Sequence, residues 1–227
     1  MRNWTLTRDA EGIASLVFDK PDAAVNTLSA DAMAELAEAL GSLDAAPPKA
    51  LVIRSGKANG FIAGADIDEF RAARTANDGL AIVRRGWDLF GRLARVPYPT
   101  LAVIQGFCLG GGLELAMACR YRVAVDDPST RLGLPEVMLG IVPGWGGIYR
   151  LPRLVGAPAA LDLLLTGKTI DARRARALGL VDEAVPQRIV DNTTAGVLHA
   201  LPAPRRLPLP LALTLNPLAR RLIAASA

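Results

Sequence analysis

Histidine and cysteine are scarce in this sequence, since its 227 residues include one histidine and two cysteines. The single histidine, His199, lies beside a proline-rich C-terminal segment, which argues against Ser-His-Asp or Cys-His nucleophilic catalysis. With so few candidate ligands we also predict no zinc or other metal site. Cys108 and Cys119 lie in an apolar stretch, and we expect them to be buried, unreactive thiols in a reducing compartment.

Blocks of one charge and long apolar runs are also missing. The net charge of +4 comes from 26 basic and 22 acidic residues scattered along the chain, which is not the charge block typical of nucleic-acid binding. The apolar segment 207–222 is broken by prolines and Arg220, so it falls short of the roughly 18 apolar residues of a membrane span. The N-terminus, Met1 to Trp4, has no signal-peptide pattern. We expect a cytoplasmic protein that binds neither nucleic acid nor membranes.

Apolar strand-like segments alternate with helical segments over most of the chain. Strands are predicted at 13–18, 50–53, 100–105 and 121–125. Helices are predicted after an N-cap at Ser29, over 80–94, 112–119 and 157–165, and after an N-cap at Asp171. This alternation is typical of an α/β fold with buried, largely parallel strands. We divide the chain into a core, 1–200, and a tail rich in Pro, Leu and Arg, 201–227.

A glycine cluster between Gly106 and Glu114 follows a predicted strand and opens a helix. It fits neither the dinucleotide pattern nor the P-loop pattern, because Leu115 and Leu113 occupy positions that those motifs reserve for other residues. Two interpretations of the cluster remain equally favoured. Gly111 could donate its N–H to a developing oxyanion, or the glycines could allow a close crossing of strand and helix.

Two isolated carboxylates stand in apolar surroundings, Glu114 in the cluster and Glu136 after Leu134-Pro135. Acids placed in this way are either structural residues with satisfied hydrogen bonds or catalytic groups with shifted pKa values. A loop of small residues, Phe61 to Ile67, follows another strand and could supply a second N–H donor. Taken singly, each of these features favours a structural role.

Together, five segments resemble the enoyl-CoA hydratase/isomerase (crotonase) family. They are Ala63-Gly64-Ala65-Asp66, Gly106 to Glu114, Leu134-Pro135-Glu136 with Pro143-Gly144-Trp145-Gly146-Gly147, Leu165-Thr166-Gly167-Lys168, and Ala175 to Val185. The resemblance covers roughly 13–186 and is strongest to the N-terminal hydratase part of multifunctional fatty-acid oxidation alpha subunits. It implies a crotonase-like spiral of repeated ββα units. It also implies hydration of 2-enoyl-CoA in β-oxidation.

The resemblance assigns roles to particular residues. Glu114 and Glu136 would be catalytic and hold one water, which Glu114 deprotonates while Glu136 exchanges the proton at C2. The N–H groups of Ala63 and Gly111 would form the oxyanion hole. Coenzyme A would enter only as part of the thioester substrate, with no other cofactor. The substrate and its CoA would contact Asn26, Leu28, Ala63, Gly64, Ala65, Asp66, Gly110, Gly111, Pro135 and Gly144.

The tail departs from the family pattern. The family continues into C-terminal helices that close the acyl pocket and support homo-oligomers, and fused forms associate with a thiolase subunit. We therefore expect a shortened chain with a complete set of site residues and a poorly covered site. Two other functions stay open: isomerisation of a 3-enoyl-CoA to a 2-enoyl-CoA, which needs one carboxylate, and non-catalytic binding of acyl-CoA.

Overall fold

A computed structural model describes residues 1–203 and 207–217 of the chain, and its elements alternate as predicted. The strands are β1 (Trp4–Arg8), β2 (Ile13–Phe18), β3 (Ala50–Ser55), β4 (Gly60–Ile62), β5 (Thr100–Ile104), β6 (Phe107–Leu109), β7 (Tyr121–Val125), β8 (Arg131–Gly133), β9 (Thr169–Ile170) and β10 (Glu183–Val185). The α-helices are α1 (Ala30–Ala45), α2 (Ile67–Ala72), α3 (Ala76–Leu93), α4 (Gly111–Ala118), α5 (Gly147–Val155), α6 (Ala157–Thr166), α7 (Ala172–Leu178), α8 (Val190–Ala200) and α9 (Leu209–Leu213). Pro135–Leu139 and Gln187–Ile189 are 3-10 helices.

The strands form two separate sheets, and successive segments of the chain add strands to both. One sheet has the order β1-β2-β3-β5-β7-β10, and all its pairs are parallel except β1 with β2. The other has the order β4-β6-β8-β9, and only its last pair is antiparallel. Each successive unit, β3-β4, β5-β6 and β7-β8, adds one strand to each sheet. The chain is thus a spiral of ββα units, and the predicted α/β class with largely parallel strands is confirmed.

Local signals explain most helix boundaries. Ser29 accepts the N–H of Ala32 at the start of α1, and Asp171 accepts that of Arg174 at the start of α7, as predicted. The start of α3 was predicted too late. Thr75 and Asp78 cap each other's backbone there, so the helix begins at Ala76 and not near Leu80.

Helix α4 lies at the centre of the molecule, and all eight of its residues are buried. It crosses β4 so closely that a Cβ on Gly112 would lie 2.4 Å from the carbonyl oxygen of Ile62. Only glycine fits such a crossing. One of the two interpretations of the glycine cluster is therefore confirmed for Gly112.

The described part of the tail packs on the junction between α5 and α6. Helix α9 brings Leu211 to 3.1 Å from the Cβ position of Gly156, and the Thr214 hydroxyl accepts the N–H of Ala157 at 3.2 Å. Of the predicted tail, 204–206 and 218–227 lie outside the described residues. The division into core and tail stays a prediction.

Candidate active site

Glu114 lies in the first turn of α4, and only 2 % of it is exposed. Its Oε1 accepts hydrogen bonds from the backbone N–H groups of Trp145 (2.8 Å) and Gly147 (2.7 Å). Burial raises the pKa of Glu114, and the nearby charge of Glu136 adds to this effect, while the two N–H donors lower the pKa. The net result is a pKa of about 7. One oxygen of this carboxyl group is thus fixed, and the group can exchange a proton near neutral pH.

Glu136 lies on the 3-10 helix Pro135–Leu139, just after β8. It is 9 % exposed, and its Oε2 is buried without a hydrogen-bond partner among the described residues. Burial raises the pKa of Glu136 to about 7. Because an unpaired oxygen is costly to bury in its ionised form, Glu136 retains its proton more readily than an exposed glutamate does.

The turn at Gly110 and Gly111 brings the two acids to one site. Gly110 has φ of +50°, which favours glycine, and a Cβ there would lie 2.9 Å from Oε1 of Glu136. The same turn opens α4, which carries Glu114 on its first turn. The two predicted carboxylates are therefore neighbours, which agrees with the effect of the Glu136 charge on the pKa of Glu114.

The structure corrects the predicted oxyanion donor in the small-residue loop. The N–H of Ala63 donates to the carbonyl of Asn26 at 2.8 Å and is not available to a ligand. Ala65 bridges Leu28, but the bonds of that bridge run through its neighbours, Gly64 and Asp66. The Ala65 N–H therefore points away from Leu28, since N–H directions alternate along extended backbone.

Ala65 and Gly111 present their N–H groups on the same side of the fold. The nitrogen of Ala65 lies 3.5 Å from the position of a Cβ on Gly111. Gly111 is the first residue of α4, where an N–H has no partner within the helix. Neither N–H has an acceptor among the described residues. The pair of free donors is Ala65 and Gly111, where the sequence predicted Ala63 and Gly111.

Asn26, predicted to contact CoA, has its side chain occupied by the protein. Its Nδ2 donates to the carbonyl of Phe18 (2.8 Å), to the Ser55 hydroxyl (3.0 Å) and to the carbonyl of Phe61 (3.2 Å). Its Oδ1 accepts the N–H of Lys20 at 2.9 Å. The Asn26 side chain therefore ties β2, β3 and β4 together, and both of its polar atoms already have partners in the protein.

The structure places the other predicted substrate-binding residues mostly in loops and turns, and their role in binding stays a prediction. Gly64 has φ of +124°, and the carboxylate of Asp66 caps α2 and pairs with Lys20 at 3.1 Å. Pro135 opens the 3-10 helix that carries Glu136. Gly144 lies in the loop that leads to Trp145, on the wall of an apolar cavity.

That cavity, called here the apolar groove, has a volume of about 1060 Å³. It runs between α3 and the pair α5 and α6, and it starts beside the loop that holds Glu114. Its walls are almost entirely apolar, formed by residues that include Val83, Trp87, Val142, Gly144, Ile148, Tyr149 and Leu161. A hydrocarbon chain that leaves the carboxylate site could lie in this groove.

Sequence reasoning gave no role to the residues that hold Glu114. Trp145 and Gly147 provide the N–H donors, and the indole ring of Trp145 lies against Gly111, where a Cβ would be 2.5 Å from it. Arg150 donates to the Trp145 carbonyl at 2.9 Å. The glycine-rich run around Trp145 was the available signal, because such runs expose backbone N–H groups.

Cys108 and Cys119 are free and buried, as predicted, and burial raises the pKa of the Cys119 thiol to about 12. No group of three or more metal-ligating side chains occurs in the described part of the chain. Within the same part, no helix is both long and apolar enough to span a bilayer.

The sequence matches the family model described as enoyl-CoA hydratase/isomerase over residues 8–206. Two similar curated proteins are fatty acid oxidation complex subunits alpha. The one from Vibrio parahaemolyticus is 48% identical over 82% of this chain and 27% of its own length. The one from Shewanella putrefaciens is 46% identical over 92% of this chain and 30% of its own length. The chain thus spans less than a third of the length of these relatives.

Solved structures give the same result for the fold. An enoyl-CoA hydratase from Bacillus anthracis is 30% identical, with a TM-score of 0.79 over 88% of this chain and 76% of that one. An enoyl-CoA hydratase from Mycobacterium smegmatis is 28% identical, with a TM-score of 0.81 over 88% and 76% of the two chains. Both structures share the fold of this chain over most of its length.

Proposed function

This chain belongs to the enoyl-CoA hydratase/isomerase family, and from that membership we propose that it adds water to a 2-enoyl-CoA to give a 3-hydroxyacyl-CoA in fatty-acid β-oxidation. One observation carries the proposal. Two buried carboxyl groups, Glu114 and Glu136, each with a pKa of about 7, adjoin the turn that presents the N–H of Gly111 beside the N–H of Ala65. Proton transfer at C2 needs both the acids and the donors.

The two N–H groups would bind the thioester oxygen. As water adds to C3, the π electrons shift towards C2 and the carbonyl, so that negative charge collects on this oxygen. A preorganised N–H donor is typically worth about 3 kcal/mol to such a transition state. The donors are Ala65 and Gly111, because the N–H of Ala63 is already bonded to Asn26.

The two acids would divide the proton transfers. Glu114, held at Oε1, accepts a proton from water through its other oxygen while the water oxygen bonds to C3. Glu136 gives a proton to C2. The proton that Glu114 gains returns to Glu136 through solvent before the next turnover, so the net change is the addition of one water to the substrate. Proton transfer by positioned carboxyl groups contributes about 10² to 10⁴ in rate.

The surroundings give each part of the substrate a place. The CoA moiety would lie along Leu28 and the loop from Ala63 to Asp66, while Gly110 and Pro135 flank the thioester. The acyl chain would extend past Gly144 into the apolar groove. Nothing in this reaction needs a resident cofactor.

Isomerisation is the second candidate function, and the pKa of Glu136, which burial raises to about 7, is the observation that favours it. A single carboxyl group can remove a proton from C2 of a 3-enoyl-CoA and return it to C4, which moves the double bond to C2=C3. Glu114 would then be dispensable. Hydration is the stronger candidate because the acid-base character of Glu114 would otherwise have no use.

Separate Glu114→Gln and Glu136→Gln variants test these functions through loss of enoyl-thioester absorbance. We expect each substitution to lower the hydration rate by about 10² to 10⁴. Glu38→Gln, on the exposed face of α1, is the control and should leave the rate unchanged. Hydration that survives both site substitutions within twofold would refute the proposal, and isomerisation that survives only Glu114→Gln would identify an isomerase.

Non-catalytic binding and assembly are tested separately. Calorimetry with a saturated acyl-CoA measures binding without turnover, and binding by a chain that does not hydrate would favour a binding module. From the family resemblance we also propose self-association and, in a longer protein, association with a thiolase subunit. Light scattering after gel filtration would measure the oligomeric state of this chain.

A further inference from the structure

Arg150 folds back over the start of its own helix. It lies one turn into α5, and its Nη1 donates to the carbonyl of Trp145, which precedes the helix, at 2.9 Å. This path depends on Gly146, because a Cβ there would lie 1.8 Å from Nη1. Gly146 also has φ of +111°. The glycine and the arginine therefore form one unit.

The unit holds the turn that fixes Glu114. The N–H groups of Trp145 and Gly147 both donate to Oε1 of Glu114, while the carbonyl of Trp145 accepts from Arg150. The backbone of this short turn is thus hydrogen-bonded to Glu114 through its N–H groups and to Arg150 through a carbonyl. Its orientation decides where the second oxygen of Glu114 faces.

Arg150 also acts on Glu114 through its charge. The charged groups near Glu114 are Glu136 on the 3-10 helix, which raises its pKa, and Arg150 on α5, which lowers it. Burial lowers the pKa of Arg150, while the charges of nearby groups act on it in both directions. Glu114, Tyr149 and Cys119 raise this pKa, and Arg95 lowers it. Since a guanidinium stays protonated at all relevant pH values, its effect on Glu114 is constant.

Arg150 does not lie on the wall of the apolar groove. It lines a second cavity of about 430 Å³ behind α4, together with Met117, Cys119 and Arg120. Gly144 and Gly146, by contrast, line the groove. Arg150 is therefore placed to act through the turn and not by contact with substrate.

We propose that Arg150 is a positioning residue, which orients Glu114 by holding the Trp145 carbonyl and favours its ionised form. The proposal rests on the hydration function argued above. Arg150→Met removes both the bond and the charge, whereas Arg150→Lys keeps the charge and loses the guanidinium geometry. The matched control is Arg173→Met on α7, an exposed arginine paired with Asp126.

Steady-state kinetics of these variants across pH form the first test. Arg150→Met should lower kcat by about ten- to a hundredfold with KM within about twofold, because only the orientation of a catalytic group is disturbed. The acid limb of its pH profile should move to higher pH, whereas that of Arg150→Lys should stay near the parent's. The control should change neither. A change in KM with kcat unaltered would overturn the proposal, and so would an acid limb that does not move in Arg150→Met.

A double-mutant cycle separates positioning from a general structural role. If Arg150 acts through Glu114, Arg150→Met should cost little further rate in a Glu114→Gln background. Additive losses would contradict the proposal. Thermal unfolding of each variant shows whether it folds, and Arg150→Lys provides the test if Arg150→Met does not.

Carboxyl-carbon NMR titration gives a readout that does not need turnover. The pKa of Glu114 should be higher in Arg150→Met than in the parent chain, even if the chain hydrates nothing. In that event the proposed function fails and the inferred link between Arg150 and Glu114 stands. An unchanged Glu114 titration in a folded Arg150→Met variant would refute the link.

Discussion

At the scale of single residues, Glu114 and Glu136 each have a pKa of about 7, but their carboxyl groups have different hydrogen-bond partners. Glu114 has one oxygen bonded by two backbone donors, while Glu136 has a buried oxygen with no partner among the described residues. A held acid suits orientation of water, and an unheld one suits delivery of a proton. The division of roles in the proposed mechanism follows from this contrast.

The sequence predicted both acids as site residues, but it could not decide which N–H groups are free. That the N–H of Ala63 bonds to Asn26, and that Ala65 faces Gly111, depends on pairing between segments about forty residues apart. The same holds for Asn26, whose side chain is used by three distant carbonyl and hydroxyl groups. Residue type indicated the chemistry, and tertiary hydrogen bonds selected the donors.

The pH dependence of hydration follows from the two shifted pKa values. Glu114 must be ionised to accept a proton and Glu136 protonated to give one, and both have a pKa of about 7. We expect kcat/KM to be bell-shaped with its maximum near pH 7, because acid protonates the base and alkali removes the acid's proton. Rates measured from pH 5 to 10 check this. A flat profile across that range would contradict the assigned roles.

The raised pKa of Glu136 also predicts that the folded protein is less stable at alkaline pH than at acidic pH. The folded protein binds this proton more tightly than the unfolded chain, so the stabilisation is complete below about pH 4.5 and is lost as pH rises through about 7. Glu136→Gln removes that dependence. We compare the free energies of unfolding of variant and parent by denaturant unfolding at pH 4 and at pH 8. From the lower to the higher pH, the difference should shift in favour of the variant by on the order of 1–3 kcal/mol. Glu38→Gln should show no such gain, and an equal response of the two variants would argue against burial as the cause.

At the scale of elements, α4 organises the site. Its N-terminus supplies the Gly111 donor and Glu114, and its glycines admit the β4 backbone and the Trp145 ring. Sequence predicted α4 and the strands β2, β3, β5 and β7 because their apolar runs are clear. It did not predict β1, which is mostly exposed and has no apolar run. It missed β4, β6 and β8, since three-residue strands are too short to show a period.

The close crossing of α4 and β4 can be tested with Gly112→Ala. A methyl group there would meet the Ile62 carbonyl at 2.4 Å, and neither backbone can move freely. We expect a loss of about 1–3 kcal/mol in the free energy of unfolding. Gly196→Ala in α8 is the matched control, because a Cβ there meets nothing within 4 Å and should stabilise the helix by about 1 kcal/mol. Equal effects of the two substitutions in urea unfolding would contradict the packing described.

At the scale of the whole molecule, the spiral places the site between the units it repeats. The loop after β4, the turn after β6 and the 3-10 helix after β8 come from three successive units and meet at the two acids. Alternation in the sequence predicted the α/β class, and the five motifs together predicted the spiral. The apolar groove could not be predicted, because its walls come from α3, α5 and α6, which meet only in the folded chain.

The groove predicts a preference among acyl chains. Leu161→Gln places a polar group on its wall and should lower kcat/KM for a long-chain 2-enoyl-CoA by about tenfold or more, while a four-carbon substrate is affected much less. Leu80→Gln on α3 is the control, since Leu80 is exposed to a similar degree but does not line the groove. If both chain lengths respond equally to Leu161→Gln, the acyl chain does not lie there.

The most direct test of the account is the fate of solvent oxygen and hydrogen when the chain acts on a 2-enoyl-CoA. In water labelled with ¹⁸O and deuterium, analysed by mass spectrometry, we predict a 3-hydroxyacyl-CoA with one ¹⁸O at C3 and one deuterium at C2. Both labels should be lost in Glu114→Gln and Glu136→Gln. Unlabelled substrate recovered from the parent chain, or deuterium at C4 without ¹⁸O at C3, would contradict hydration by this pair of acids.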